Sequence, residues 1–479
     1  MSIKKNFAYN FALTIANYIF PLLVFPYVTR VLGVENIGKV NFTSSIVDYF
    51  LIFSCLGVIP VGIREIAKNR DDKQQLSTTF SNIFTIHLLL TAFISIILII
   101  SALSVPKFTE VKELLYVGLI KLVFTLFLIE WFFQGIQNFK FITTRTVIVK
   151  TAYVLLVFLL VKEKDDYVIY FLLTVTVIAL NALMNWKYKN RFIKYKFNLS
   201  EYKYFIKQIF AFGLTYIMIS FVTTFNIVFL GFVSTETEVG YYTTAQKLIY
   251  IFMAAFSALT IVLIPQMSFF FKTNDFNKAK ELLLKVFDVL VIITVPTIIF
   301  ANLYAKEIIY LIAGSEFEGA ILPFRILSVL IFSIGLESIL NQQILMCINK
   351  NVAVIVVATI AAVICVILNI ILVPKYGGVG SSISWIIADF IGLAVDIIFV
   401  NKYIGLKIPY LKFFKYILLS IPYFLLPFII KNEVANIYIA VVLSLFVVIA
   451  YFIILNFVII KNQILKEIKD KMFSLIKKN

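Results

Sequence analysis

Apolar stretches of about 20 residues or more recur along the whole chain, separated by short segments that carry most of its charges, prolines and glycines. A stretch of that length fits the hydrocarbon core of a bilayer as a helix, because a helix satisfies its backbone hydrogen bonds without water. The spans fall at about 7–28, 38–59, 77–103, 114–135, 142–161, 167–186, 206–232, 240–265, 282–303, 322–346, 351–373, 379–400, 412–430 and 436–460. Of the 479 residues 61% are apolar and only 14% charged, against about 45–50% and 25% in soluble domains. That excludes a soluble enzyme, a secreted disulfide scaffold and a disordered chain. The net charge of +17 comes from residues scattered between spans, so no face is built for nucleic acid. Cys55, Cys347 and Cys365 each lie inside an apolar run, so no disulfide framework is expected. The stretch after Lys4 and Lys5 is too long for a signal-peptide core and lacks a small-residue cleavage site, so it reads as a retained first span. The chain is therefore read as an all-α polytopic membrane protein with about 14 transmembrane helices.

Lysines and arginines are retained on the cytoplasmic side of a membrane protein. With the N-terminus inside, roughly 30 of the 43 fall on inner segments and about eight on outer loops. Both termini are thus expected in the cytoplasm. The richest inner segment runs from Lys187 to Lys207 and reads mainly as a topology anchor that can also meet anionic headgroups. The longest outer loop, about 304–321, is too short for an external domain. The tail 461–479 alternates lysines with Ile464, Leu465, Ile468, Phe473, Leu475 and Ile476, the pattern of an amphipathic helix on an anionic leaflet.

A weak repeat runs at a period a little over 200. Ile37-Gly38 opens the second span as Val239-Gly240 opens the eighth, with Glu35 and Glu238 before them and Thr43 and Thr243 after. Leu32-Gly33-Val34 matches Leu230-Gly231-Phe232, and the inner turn Ile136-Gln137-Asn138 matches Ile348-Asn349-Lys350. Repeated helix bundles are typical of transporters in which one bundle rocks against another. The expected organisation is a six-helix lobe over 1–200, a second over 201–403, two further helices over 404–460 and the basic tail.

Six segments together resemble the Wzx-type polysaccharide flippases of the multidrug/oligosaccharidyl-lipid/polysaccharide exporter superfamily. They are Phe25 to Gly33 with Ile37-Gly38, Arg64 to Asp72, Glu130 to Gly135, Val239 to Tyr242, Ala313 to Phe317, and Asn369 to Gly377. The resemblance implies a fourteen-helix carrier rather than an enzyme. Its load would be an undecaprenyl pyrophosphate-linked glycan, moved from the inner to the outer leaflet of the bacterial cytoplasmic membrane by alternating access coupled to H+ or Na+. Membrane lipids, a polysaccharide polymerase and glycosyltransferases are the implied partners, in capsule, O-antigen or exopolysaccharide synthesis. No cofactor is implied.

Charges fall inside the spans, among them the following eleven. At about 2.5–3.5 kcal/mol each they could not all face lipid. Lys39, Arg325, Glu130, Asp288 and Asp396 lie near span ends, where snorkelling or pairing is expected. Asp48, Lys121, Lys150, Lys247, Glu337 and Asp389 lie deep. A pyrophosphate crossing the membrane needs compensating positive charge. Lys121, Lys150 and Lys247, with Arg30 at the outer mouth, are the expected headgroup residues. Asp48, Glu337 and Asp389 are the expected ion-coupling carboxylates, with packing pairs such as Lys121–Asp48 as the competing reading. The lone His87 suits hydrogen-bonded packing, and no metal-ligand spacing occurs. A lipid II flippase or a multidrug exporter would have the same helix count, although deep lysines suit a cationic drug poorly. A membrane polymerase would need larger outer loops. No phosphate-cradling Gly-rich Lys-Ser/Thr motif occurs, so ATP is not expected to act directly.

Overall fold

In the computed structural model, residues 3–273, 275–405, 416–434 and 436–455 are described. The basic tail 461–479 lies outside them. Every element among them is helical, and no strand occurs. The helices are α1 (Ile3–Cys55), α2 (Val58–Asn69), α3 (Lys73–Ser104), α4 (Pro106–Thr109), α5 (Lys112–Leu128), α6 (Glu130–Gly135), α7 (Phe139–Leu160) and α8 (Tyr167–Lys189). They continue as α9 (Tyr202–Thr223), α10 (Phe225–Val233), α11 (Glu236–Lys272), α12 (Phe276–Leu303), α13 (Ala305–Ile312), α14 (Ile321–Ser328) and α15 (Leu330–Ser338). A π-helical turn (Ile339–Leu345), α16 (Asn351–Ile404), α17 (Ile421–Glu433) and α18 (Ile437–Ile453) complete them.

Nine helical segments among the described residues are long and apolar enough to cross a membrane. Two of these are far longer than a bilayer needs, and a glycine divides each. Gly33 (φ 74°, ψ 173°) breaks α1, and Gly377 (φ 52°, ψ −131°) breaks α16. At positive φ a Cβ would collide with the backbone, so glycine is the residue that turns the chain here without strain. Each break leaves two arms long enough to span the hydrocarbon core. Pro26 and Pro374 stand inside helix, a turn or two before these breaks. The segment 304–321, expected as the longest outer loop, is itself structured, as α13 followed by a 3-10 turn at Ser315–Ala320.

Contacts divide the chain into two compact units. One comprises Met1–Lys247, Leu311–Pro323 and Ile355–Ala388, and the other Leu248–Tyr310, Phe324–Val354 and Asp389–Asn479. The core of the first unit is aromatic. Phe80 of α3 stacks on Trp131 of α6 at 5.3 Å, and Phe84 meets Trp186 of α8 at 4.8 Å. The core of the second gathers Leu283, Phe287 and Leu290 of α12 with Leu336, Leu340 and Ile344 around the π-helical turn.

The repeat is visible in local conformation. Gln137 and Asn349 both take left-handed φ, 58° and 59°. Around each, the same pair of bonds closes the helix end. Asn138 N donates to Phe133 O and Lys350 N to Leu345 O, both at 2.8 Å, while Gln137 N and Asn349 N each reach back three residues. The Gly33/Gly231 correspondence does not extend to structure. Gly231 lies inside α10, where its bare Cα makes room for the Phe42 ring, and the chain breaks instead at Ser234.

Candidate functional site

The second arm of α1, from Val34 to Cys55, positions the site. Asn41, Ser44 and Asp48 are spaced by three and four residues, so they share one face over about two turns. Two of the expected lysines reach that face from other helices. Lys121 Nζ of α5 donates to Asp48 Oδ1 at 2.6 Å and to Ser44 Oγ at 3.2 Å. Lys247 Nζ of α11 donates to Asn41 Oδ1 at 2.8 Å and sits over the Phe25 ring, 5.2 Å from its centroid. Asn41 is held in turn by the Thr243 hydroxyl, to which its Nδ2 donates at 2.8 Å. The Lys121 side chain is 14% exposed and that of Asp48 44%. Among the described residues no carboxylate pairs with Lys247.

The structure places the other expected residues elsewhere. Lys150 of α7 donates to Asn17 Oδ1 at 2.7 Å on the first arm of α1. Arg30 bonds the carbonyls of Pro26, at 2.9 Å, and Leu311, which ties the break at Gly33 to the end of α13. Glu337 and Asp389 belong to the second unit. Glu337 Oε1 accepts from Asn341 Nδ2 at 3.2 Å, and Asp389 is 6% exposed. Asp396, expected to snorkel or to pair with a cation, is instead fully buried and accepts from the neutral Asn341 Nδ2 at 3.0 Å. Asn341, in the π-helical turn, supplies the hydrogen bond that a headgroup or a cation was expected to supply. His87 lies beside Cys55, with Nε2 3.4 Å from Sγ. Among the described residues no three His, Cys, Asp or Glu side chains are arranged to hold a metal ion.

The six resemblance motifs gather at two places on either side of this polar face. At one, Gly38 and Gly240 bring α1 and α11 into backbone contact. A Cβ on Gly38 would lie 1.8 Å from Glu236 O, and one on Gly240 2.3 Å from Val34 O. There Glu238 Oε2 accepts from Gly378 N at 2.7 Å beside the Gly377 break, Glu316 meets Lys164 at 3.3 Å beside Gly33, and Gly319 receives the Tyr241 ring. At the other, beyond Cys55, Gly62 of α2 receives Trp131 of α6, and Gly135 of α6 receives Ile66 of α2. Glu65 is buried there between Arg64 and Lys68, both at 2.9 Å. The two segments share a pocket of about 600 Å³ lined by Arg70, Asp71, Gln137 and Asn138.

Several functional candidates were missed in the sequence. Asn17, Asn41 and Ser44 are ordinary polar residues within apolar stretches, and nothing local marks them as partners of the lysines. Asn226 Oδ1 accepts from Asn369 Nδ2 at 2.6 Å in a fully buried polar pair. Arg145 did leave a signal, since it stands three residues inside the fifth span. It is 2% exposed and pairs with Glu130 at 2.7 Å beside the left-handed residue Ile129 that separates α5 from α6. Asn185 donates to the Leu128 carbonyl that this break frees.

Residues 3–271 match the model of a family described as "Polysaccharide biosynthesis protein". A putative O-antigen transporter of Escherichia coli K12 is 24% identical over 409 residues, covering 84% of this chain and 97% of that protein. A putative O-antigen transporter of Shigella dysenteriae is 28% identical over 254 residues, covering 51% of this chain and 62% of that one. Among solved structures, a lipid II flippase MurJ in an inward closed conformation superposes with a TM-score of 0.81 at 16% identity, covering 96% of this chain and all of that one. An inward-facing multidrug resistance MATE transporter superposes at 0.65, also at 16% identity, covering 81% of this chain and 94% of that one. At these identities the likeness establishes the fold alone, an all-α architecture.

Proposed function

The chain belongs to the polysaccharide biosynthesis protein family, among the Wzx-type flippases, and on that premise we propose that it turns an undecaprenyl pyrophosphate-linked oligosaccharide from the inner to the outer leaflet of the bacterial cytoplasmic membrane. The observation that carries this reading is the placement of Lys121 and Lys247 on one polar face of a membrane-crossing arm, with Lys247 held by a neutral amide and no carboxylate. A lysine held this way keeps its charge available for a phosphate oxygen, and charge-assisted hydrogen bonds are the strong ones. Lys150, deep in its span, and Arg30, at the outer mouth, would also hold the load along its path. Lobes over 1–200 and 201–403 rock by alternating access, with both termini cytoplasmic. Asp48, Glu337 and Asp389 carry H+ or Na+ to reset the carrier.

A lipid II-type load makes the same electrostatic demand, and the MurJ likeness favours it as the second reading. A cationic drug would be repelled by the two lysines. The test is flipping of a labelled undecaprenyl pyrophosphate-oligosaccharide in proteoliposomes, wild type beside Lys247→Ala. Transport by the wild type, lost in a variant that still folds, supports the reading. Equal transport by both would make Lys247 a packing charge. Failure of both with several glycans, beside transport of lipid II, would establish the second reading instead.

A further inference from the structure

Three carboxyl groups gather inside the second unit, and among the described residues no lysine, arginine or histidine pairs with them. Glu337 stands near the end of α15, and Asn341 one turn further on, in the π-helical turn. Asp389 and Asp396 lie two turns apart on one face of the second arm of α16. The amide of Asn341 is the hub, since its one nitrogen donates to both Glu337 and Asp396. Glu337 is within electrostatic reach of both aspartates, and the fully buried Ser333 lies beside Asp389.

The second observation is a shortage of donors. Asn341, 9% exposed, has its Oδ1 buried with no hydrogen-bond partner, although its nitrogen sits between two carboxyls. Asp396 Oδ1 and Asp389 Oδ2 are buried and equally without partners. An ionised carboxylate only accepts, whereas a protonated one donates. Protons on these acids would supply the donors that the buried oxygens lack. The Asn341 N–H groups already occupy Glu337 Oε1 and Asp396 Oδ2, which withdraws two oxygens from any metal ion. No metal-holding trio occurs among the described residues. The π-helical geometry adds weight, since such turns are rare and recur at functional sites. Here Met346 N donates to Asn341 O at 2.9 Å, five residues back.

The surrounding elements bring little positive charge. From α12 come the buried Asp288 and, a turn before it, Lys285, which pairs with Glu281 at 2.9 Å. Lys350, ahead of α16, sits over the Tyr403 ring at 4.8 Å, and Lys402 is exposed. Tyr416 packs into the same core and lies within electrostatic reach of Asp288.

We propose that Glu337, Asp389 and Asp396, gathered around Asn341, form a proton-binding site that is filled by protons and not by a metal ion. Its use in transport rests on the ion-coupled reading above, while the binding itself can be tested without any load.

The test is thermal unfolding of the full-length protein in lipid nanodiscs, from about pH 4, where free carboxyls titrate, to alkaline pH, in sodium and in choline buffers. Wild type is compared with the triple variant Glu337→Gln, Asp389→Asn, Asp396→Asn. A folded state that holds more protons than the unfolded chain loses stability as pH rises, by about tenfold in the folding equilibrium per pH unit for each extra proton. The wild type is expected to show that decline and the triple variant to lack it, with sodium changing neither. Equal pH dependence in the two proteins would overturn the proposal. So would a sodium-specific stabilisation present in wild type and absent in the variant. If the triple variant does not fold, infrared spectra of wild type and Asp396→Asn alone decide. A protonated-carboxyl band at neutral pH, weaker in the variant, supports the site, and its absence from wild type refutes it. None of these readouts involves flipping, so the site and the substrate assignment fail separately.

Discussion

Replacing Lys121 or Asp48 removes the same ion pair but strands different partners. Asp48→Asn leaves Lys121, 14% exposed, with Ser44 at 3.2 Å and an uncharged amide in place of its counter-charge. Lys121→Met leaves Asp48, whose side chain is 44% exposed and keeps part of its access to polar surroundings. Breaking a fully buried pair costs about 3–5 kcal/mol, whereas exposed pairs are worth about 0–1 kcal/mol. Asp48→Asn should therefore cost about 2–4 kcal/mol and Lys121→Met only about 1–2 kcal/mol. The double variant removes both charges and should recover most of the larger loss, giving a coupling energy of about 1–3 kcal/mol. Denaturation of the four proteins in one detergent measures the cycle. Costs of equal size with no coupling would refute the reasoning that the more buried ion suffers more from losing its partner. Flipping by the double variant then separates the roles of Lys121. If the lysine serves only packing, transport returns with stability; if it meets the load, stability returns and transport does not.

Three further outcomes follow from other contacts. Gly38→Ala meets backbone 1.8 Å away, whereas Gly118→Ala meets the Val47 methyl Cγ2 at 2.3 Å; the first should cost about 3 kcal/mol or more and the second about 1–3 kcal/mol, because a side chain can give way and a helix backbone cannot. Arg145→Met should destabilise by about 2–3 kcal/mol by stranding Glu130, and Glu130→Gln in the same chain should restore most of it; a double variant no better than the single would refute the pairing, with melting as the readout. Lys107 bonds Glu236 at 2.8 Å and Glu110 at 2.9 Å outside the spans. Burial opposes charge on Lys107 and Glu236, yet their hydrogen bonds and mutual attraction outweigh it, so Lys107 is raised and Glu236 lowered from their ordinary values. The lysine contribution is complete below its unfolded value and lost as pH rises through the folded one; that of Glu236 is present above its unfolded value and lost as pH falls. Lys107→Met should flatten both the acid and the alkaline edges of the stability profile, measured as Tm against pH.

How much was legible in the chain depends on the range of the interaction concerned. Spans could be read because crossing a bilayer is a local demand on length and hydropathy. The break at Gly377 was legible too, since Gly377-Gly378 follows Pro374 between two apolar runs. The break at Ile129 was not, because a left-handed β-branched residue is chosen by packing and by the Asn185 side chain from α8, and no local motif announces it. Lys121, Lys150 and Lys247 could be picked out as costly charges within spans. Their partners Asn41, Ser44 and Asn17 are uncharged residues that a span tolerates at little cost, and they drew no attention.

The sequence by itself determined that the chain is helical, that it is a multi-pass membrane protein and which ions cannot face lipid. Each of those follows from the free energy of moving a residue or a backbone group out of water, which is summed along the chain. The tertiary structure decided that Lys121 and Lys247 meet one face of α1, that Asp396 is buried around Asn341 instead of reaching the headgroups, and that Gly38 meets Glu236 backbone. Those outcomes depend on the rotation and register of one helix against another. A rotation of about 100° moves a side chain to a different face while leaving every span in place.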